Sequence, residues 1–355
     1  AELDVTFGTV DAGAGVTLLD VTSTSGGVAT TGDVTVAGGD VVIASGGSFT
    51  DINLAGLFHV MAGTLSLSSL DDVIADSVMV GGDLTVLADS NFGAAGDVVG
   101  GAFVADGTAT ITGANVSGRF ASGGDLAITA TATSGSVTAD PTAPMESASG
   151  DITINAFGDV TLEQVNLPVG NLLVDAGGSI ALNRSITVPG SLSLTAGDNV
   201  GVAGGAGITS DSALTLSAVG DIDGDFVSNA TATVAGANVS GFFGSAADLA
   251  MNATANVALD TLNVSSGVID IVAVGDVTFG TVDAGAGVTF LDVTSTSGGV
   301  ATTGNVTVAG GDVVITSGGS FADIDLAGLF HVMAGNLSLS SLDDVIADSV
   351  MVGGD

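Results

Sequence analysis

The chain offers few side chains from which a reactive or cationic site could be built. Its 355 residues contain no Cys, Trp or Tyr, and the basic residues are only Arg119 and Arg184. The missing cysteines exclude disulfides and make the usual zinc and iron–sulfur sites very unlikely to form. The shortage of cations opposes nucleic-acid binding, which needs Lys and Arg opposite phosphates. Stability must therefore come from buried apolar surface and hydrogen bonds.

Long apolar runs are missing as well. None approaches the ~20 residues of a membrane helix, so we expect no insertion into a bilayer. The first residues, AELDVTFG, lack the basic and apolar segments of a signal peptide. We therefore expect either that such a segment was removed or that the chain is an internal piece of a longer protein.

Acidic and small residues dominate what is present. Asp and Glu total 39 against two basic residues, giving a formal net charge of −37, and 56 residues are Gly. Glu occurs only at Glu2, Glu146 and Glu163, so almost all of the acids are Asp. Hydrophobic residues make up 46% of the chain, enough apolar surface for a core despite the charge. Asp suits turns, where its side chain bonds nearby backbone, so we assign most of the acids to turns.

A short motif recurs about every 20 residues. Gly followed by Asp, Asn or Ser leads into an apolar-x-apolar run, as in GDITI at 150, GNLLV at 170 and GSLSL at 190. Such runs are typical of strands with one face inward, and Gly with Asp supplies the turns between them. One coil of a β-solenoid per period fits this pattern. We predict an all-β parallel β-helix (β-solenoid) of about 20 residues per coil, with essentially no helix.

The sequence also contains repeats much longer than this 20-residue period. Residues 4–83 return as residues 276–355, at an offset of 272, with six differences in 80 positions. Residues 100–132 also resemble residues 223–255, at an offset of 123. We predict one continuous solenoid rod over 1–355, in which 4–275 is one module of a 272-residue repeat and 276–355 starts the next. The two copies should share one structure, and the residue after Asp355 should be Leu or a close equivalent of Leu84.

Two local expectations concern an irregular coil and the core. Pro141 and Pro144 fall in the segment 134–150, which lengthens the spacing of its coil, and Pro cannot donate to a strand ladder. We therefore expect 134–150 to be a protruding loop. The bulkiest available core side chains are phenylalanines, and we expect four of them in the core: Phe7, Phe279, Phe290 and Phe330.

The segment GSIALNRSITVPGSLSLTAGDNVGVAGGAGITSDSALTLSAVGDID, residues 178–223, resembles a known class of repeats. It is similar to the central repeats of filamentous-haemagglutinin-type exoproteins, large adhesins exported by two-partner secretion. The similarity extends over most of the chain as composition and period, and the family's amino-terminal secretion domain is not seen. The resemblance implies a right-handed parallel β-helix, a cell-surface or extracellular location and a function in adhesion.

The most metal-like run is Asp221-Ile-Asp-Gly-Asp225. Asp221, Asp223 and Asp225 could present carboxylates to Ca²⁺, a hard cation that takes six to eight oxygens. The spacing of an EF-hand is absent, so an acidic, solvated corner is the alternative interpretation. Weaker candidates are Asp71, Asp72 and Asp76, with their copies Asp343, Asp344 and Asp348.

The remaining candidates favour a structural protein over an enzyme. His59 and its copy His331 lie in apolar strand sequence, 272 residues apart, and are expected to be structural. No nucleophile, base and orienting residue form a recognisable set, so we expect no catalytic residues and no cofactor other than Ca²⁺.

The sequence thus predicts a stiff structural rod segment of a giant bacterial extracellular or cell-surface filament or adhesin. Its partners would be neighbouring modules or laterally associated rods, with any surface or matrix ligand bound by parts outside this chain. Two alternatives remain: a Ca²⁺-dependent adhesin module, and separate subunits that polymerise head to tail.

Overall fold

A computed structural model describes residues 3–47, 50–88, 96–320 and 322–354, and their regular structure is β-strand without helix. A turn of the resulting parallel β-solenoid takes about 21 residues. Residue contacts divide the chain into two compact units, Ala1–Asn183 and Arg184–Asp355.

The strands of unit 1 are short, mostly three to nine residues, as expected when a turn follows every few inward positions. They are β1 Val5–Phe7, β2 Val10–Ala12, β3 Leu18–Ser23, β4 Val28–Thr30, β5 Val34–Val36, β6 Asp40–Ser45, β7 Ile52–Val60, β8 Leu65–Ser69, β9 Val73–Val80, β10 Leu84–Ala88, β11 Val98–Ala105, β12 Ala109–Gly113, β13 Val116–Ser122, β14 Leu126–Ala130, β15 Val137–Ala139, β16 Met145–Ser147, β17 Ile152–Ala156, β18 Val160–Leu162, β19 Val165–Asn166, β20 Leu172–Ala176 and β21 Ile180–Leu182.

Unit 1 winds these strands into three parallel stacks. One stack runs through β3, β6, β8, β10, β12, β14, β17 and β20, each paired in parallel with the next. The second stack begins with β1 and β4, and the third begins with β2 and β5. Both stacks continue through the long strands β7, β9, β11 and β13, whose first part belongs to one stack and whose last part belongs to the other. They separate again at β15 and β16. Because the chain passes through all three stacks in order and returns to the first, each circuit adds one turn to the solenoid.

Unit 2 contains fewer but longer strands. They are β22 Ile186–Val188, β23 Leu192–Ala196, β24 Val200–Val202, β25 Gly207–Ser210, β26 Leu214–Ala218, β27 Ile222–Ser228, β28 Ala232–Gly236, β29 Val239–Ser245, β30 Leu249–Ala253, β31 Val257–Ala273, β32 Val277–Ser295, β33 Val300–Thr302, β34 Val306–Val308, β35 Asp312–Ser317, β36 Ile324–Val332, β37 Leu337–Ser341 and β38 Val345–Val352.

The same three-stack winding holds within unit 2, where β22 pairs with β25, β23 with β26 and β24 with β27. β23, β26, β28 and β30 form one stack, and β27 and β29 carry the other two stacks into β31. β31 and β32 each span nearly a whole turn, since the residues between their stack positions also keep strand geometry.

The core of each unit lies between the stacks and is built by strand alternation. In β17, for instance, Ile152, Ile154 and Ala156 are buried while Thr153 and Asn155 face outward. Parallel pairing in register places like residues above one another, so the inward side chains form columns. Ile152 lies between Leu126 and Leu172 in this way.

Stacked phenylalanines fill the core at equivalent places in the two units. The ring centroids of Phe103 and Phe120 are 5.9 Å apart in unit 1, and those of Phe226 and Phe243 are 5.4 Å apart in unit 2. These pairs are related by the 123-residue offset. Offset aromatic pairs add about 0.5–1.5 kcal/mol beyond their burial.

Four strands of the first copy recur in the second copy with the same bounds. β33 to β36 lie at the positions of β4 to β7 plus 272. Pairing registers are also the same: Val28 opposes Ile52, and Val300 opposes Ile324. Since no residue is inserted or deleted, both copies keep the same inward set of side chains.

The expectation that 134–150 is a protruding loop is wrong. β15 and β16 lie inside this segment. β15 pairs with the first part of β13, and β16 pairs with its last two residues. Val137 and Met145 are buried in the core, and only residues 140–144, which carry both prolines, form the connection between the strands. The extra residues therefore lengthen one circuit instead of leaving it.

The four phenylalanines predicted for the core divide evenly. Phe279 and Phe330 are buried, but Phe7 and Phe290 are only half-buried. Phe7 and Phe279 are copies of one position, and they differ because β32 is paired on both sides whereas β1 pairs with β4 alone. Phe290 precedes the inward-facing Leu291, so alternation turns its ring outward.

Candidate functional site

The predicted calcium run lies at a corner of unit 2 and at the start of β27. Asp221, Asp223 and Asp225 are all exposed, and their carboxylate oxygens do not gather within 4.8 Å of one another. Asp221 Oδ1 accepts hydrogen bonds from the backbone N–H and the side-chain amide of Asn238, at 3.2 and 2.8 Å. Asp223 Oδ1 accepts one from the Ser240 hydroxyl at 2.7 Å. In this conformation two of the three carboxylates bond the next turn instead of sharing one site.

Asp221 belongs to a larger feature, which we call the corner ladder. At one corner after another, the side-chain Oδ1 of an Asp or Asn accepts the backbone N–H of the turn that follows, at 2.7–3.2 Å. These acceptor–donor pairs are Asp4–Gly27, Asp33–Leu57, Asp40–Thr64, Asp72–Asp97, Asp83–Thr108, Asp97–Asn115, Asn115–Ser136, Asp125–Asp151, Asp151–Asn171, Asp159–Ser179, Asn199–Asp221, Asp221–Asn238, Asn238–Asn256, Asp248–Val268, Asn256–Asp276, Asp276–Gly299, Asn305–Leu329, Asp312–Asn336 and Asp323–Asp344.

The corner ladder requires an acceptor oxygen and not a charge. Asp33 Oδ1 accepts the Leu57 N–H at 2.9 Å in the first copy of the repeat. In the second copy Asn305 Oδ1 accepts the Leu329 N–H at 3.1 Å. The Asp-to-Asn difference between the copies therefore keeps the bond. The abundance of Asp at Gly-Asp corners has a structural explanation that the sequence anticipated only as local turn chemistry.

Buried serines form a second ladder between turns. Ser45 Oγ lies 3.0 Å from the Gly26 carbonyl of the preceding turn and 2.8 Å from the Thr50 carbonyl. In the second copy Ser317 Oγ makes the same contacts with Gly298 and Ala322, at 3.0 and 2.8 Å. A buried hydroxyl without a partner would cost stability, so these contacts are what lets Ser occupy the core. The signal in the sequence was a Ser at the end of successive strands.

Two acidic clusters bring carboxylates closer together than the predicted run does. Asp51, Asp71 and Asp72 each place an oxygen within 4.8 Å of the others, and so do their copies Asp323, Asp343 and Asp344. Asp51 and Asp72 precede strands that pair in register, Ile52 opposing Val73, so the fold stacks the two corners. Asp51 was missed from sequence because it lies one turn away from the Asp71–Asp72 pair.

The electrostatics of the first cluster are repulsive. Burial, with a further contribution from the Asp72 carboxylate, raises the pKa of Asp51 above its ordinary value. Burial also raises the pKa of Asp71, with added repulsion from Asp72, Asp51 and Asp97. Both shifts mean that the ionised form is less stable in the folded chain.

In the described part of the chain, these two groups of three carboxylates are the ones close enough for each group to share a metal ion. A hard cation such as Ca²⁺ would need further oxygens from carbonyls or water. Asp76 and Asp348, predicted to belong with them, instead accept the backbone N–H groups of Gly56 and Gly328, at 3.0 and 3.3 Å.

The histidines lie on strand faces. His59 is half-buried in β7, between Thr35 and Met79 of the neighbouring strands. His331 occupies the equivalent place in β36, between Thr307 and Met351. Neither belongs to a group of three or more potential metal ligands in the described residues.

Residues 3–47, 50–88, 96–320 and 322–354 include no helix with the length and apolarity needed to cross a membrane. Comparison with family models, curated proteins and solved structures finds no match to this chain. Its function must be inferred from the residues and their arrangement.

Proposed function

We propose that this chain is a structural rod segment of a large, repetitive bacterial extracellular or cell-surface filament or adhesin. It acts as a stiff spacer whose length depends on the number of modules. Binding of a host or matrix ligand is assigned to parts outside this chain.

The repeated register is the observation that carries the proposal. The strands β4 to β7 recur 272 residues later as β33 to β36, with the same pairing registers. A solenoid turn contacts mainly its neighbours, so modules can be added without changing those already present. Lengthening by duplication is then structurally neutral, which is what a spacer needs.

Bonding between turns supports stiffness. Within each unit, successive turns are joined by parallel backbone pairing, and many of them also by the corner ladder and the buried serines. Stretching along the stacking direction loads these bonds together. A flexible linker of the same composition would have none of them.

The differences between copies fit a chain selected for this bonding. Thr64 and its counterpart Asn336 donate to the same acceptor position, from the backbone at 2.9 and 2.8 Å and from the side chain at 3.1 and 3.0 Å. Thr50 becomes Ala322, yet the carbonyl at this position still accepts the hydroxyl of a serine in the next turn, Ser69 at 3.2 Å and Ser341 at 3.0 Å. The substitutions therefore preserve contacts between turns.

Charge supports an extracellular rod. Because Asn can replace Asp in the corner ladder, the net charge of −37 is not required for the bonding itself. A high charge of one sign keeps rods dispersed, and screening by salt weakens that repulsion. The resemblance of residues 178–223 to exported adhesin repeats points in the same direction.

Stretching a tandem array between two beads in an optical trap would test the spacer function. A 272-residue module of about 21 residues per turn has about 13 turns, or ~62 Å at ~4.8 Å per turn. The same residues fully extended would span ~900 Å. We expect the array to stay near its folded length until it unfolds in discrete steps. A Gly/Ser linker of equal residue number is the control, since it extends gradually from the lowest forces. Gradual extension of the array would contradict the proposal.

A further inference from the structure

One phenylalanine of unit 1 is placed unlike the others. Phe157 is 64% exposed, whereas the other phenylalanines in the described residues are buried or half-buried. It follows Ala156 at the end of β17, at the corner Phe157-Gly158-Asp159. A single exposed apolar side chain is ordinary on a protein surface, so this ring indicates a site only together with the groups around it.

The neighbouring turn leaves this ring uncovered. Gly177 occupies the corresponding place after β20, and its N–H donates to the Ala156 carbonyl at 2.8 Å. A Cβ on Gly177 would lie 2.3 Å from the Phe157 carbonyl oxygen, so a larger residue could enter only if the backbone shifted. Gly177 therefore lets the backbones of the two turns approach closely, and Phe157 and Gly177 both line a groove at this corner.

The groove has polar groups along one side. It has a volume of about 280 Å³ and is lined by Thr129, Ala130, Asn155, Ala156, Phe157, Asp175 and Gly177. Thr129, Asn155 and Asp175 oppose one another in β14, β17 and β20, so their side chains form an outward row at strand spacing. The volume is at the lower end of small-molecule sites and suits one side chain.

The charge around the groove indicates which kind of side chain it would bind. The net charge of −37 and the Asp175 carboxylate repel anions from this groove and attract cations. A guanidinium can lie on the face of a phenylalanine ring while its N–H groups donate to a carboxylate. Asn155 offers an amide oxygen in the next place of the row.

We propose that Phe157, Asn155 and Asp175 form a binding site for an arginine side chain of a protein partner. Phe157 provides the ring face, Asp175 the carboxylate and Asn155 a further acceptor. The site adds a binding function to unit 1 and does not depend on the spacer function, whose test measures extension alone.

The test uses the full chain labelled with 4-fluorophenylalanine, with the Phe157 resonance assigned from Phe157→Leu. The probe is the peptide acetyl-Gly-Arg-Gly-amide, titrated at low and high salt. We expect a saturable shift of the Phe157 resonance with a dissociation constant in the millimolar range. The same peptide with citrulline in place of arginine, which lacks the charge, should bind more weakly.

Variants separate the site from general attraction to an acidic chain. Phe157→Leu keeps an apolar side chain without the ring, and should weaken binding about two- to five-fold, read from the amide resonances of residues 155 and 175. Asp175→Asn should weaken it at least as much. Asp270→Asn removes one charge from an outward strand position that does not line the groove, and should leave binding unchanged.

Three outcomes would overturn the proposal. Equal weakening by Asp270→Asn and Asp175→Asn would reduce the effect to counterion attraction. Unchanged binding in Phe157→Leu would exclude the ring face. A saturable shift with a neutral disaccharide but none with the arginine peptide would identify a saccharide site instead.

Discussion

The corner ladder predicts that an acceptor oxygen, not a charge, stabilises the contact between turns. Substitutions of Asp97 test this prediction. Its Oδ1 accepts from the backbone N–H and side-chain amide of Asn115, at 3.1 and 2.9 Å, in a part-buried setting. Asp97→Ala removes both bonds. At a net ~0.5–1.5 kcal/mol each, and with partial exposure favouring the lower half, the loss should be ~1–2 kcal/mol.

Asp97→Asn separates the two explanations. It keeps an amide oxygen for the Asn115 N–H, as Asn305 does for Leu329 in the repeat. It also removes a carboxylate that raises the pKa of Asp71. We therefore expect its stability to stay within ~0.5 kcal/mol of the unsubstituted chain.

Native-state hydrogen exchange at the Asn115 amide is the assay, because a solenoid of this length need not unfold in two states. Asp97→Ala should speed exchange about 5- to 30-fold, the factor that corresponds to ~1–2 kcal/mol. Asp106→Ala, an exposed acid of the same unit, is the control and should leave that amide unchanged. Equal effects of Ala and Asn at position 97 would refute the acceptor argument.

Three further predictions concern the core, pH and salt. Phe243→Ala removes one ring of the Phe226–Phe243 stack and should lower the free energy of unfolding in urea by ~3–5 kcal/mol. Phe157→Ala should lower it by under ~0.5 kcal/mol, because Phe157 is exposed. Similar losses of unfolding free energy in the two variants would contradict the assigned core. Asp71→Asn should raise the melting temperature at pH 7, because the raised pKa of Asp71 makes its ionised form destabilising. This gain in melting temperature should shrink as pH falls through the raised pKa and vanish below the ordinary value of 3.8. A gain that persists at pH 3 would contradict the electrostatic cause. Raising the salt concentration from low to seawater-like should raise the melting temperature of this chain of charge −37, and a flat or falling profile would make self-repulsion a minor effect.

The solenoid winding could be predicted from the sequence because the turn and strand motifs repeat with the same period as the winding. Gly-Asp corners and apolar-x-apolar runs repeat once per turn, so strand positions and parallel stacking followed from the period. The shared register of the two copies followed from a repeat without insertions.

What the sequence did not reveal depends on which residues of different turns meet. Asp51 joins Asp71 and Asp72 through register, which varies locally about the mean period, so their meeting could not be found from a run of acids. Asp221, Asp223 and Asp225 form such a run, but two of them bond the following turn. The prolines at 141 and 144 indicated an irregular coil, yet the strands on either side of them still pair with β13.

Length against module number tests the central claim most directly. Electron microscopy of arrays with one, two and three copies of the 272-residue module would measure it. We predict straight particles whose length increases by ~62 Å with each module and whose width does not change. Particles that become wider or rounder with each added module, with no constant increment in length, would contradict the spacer function.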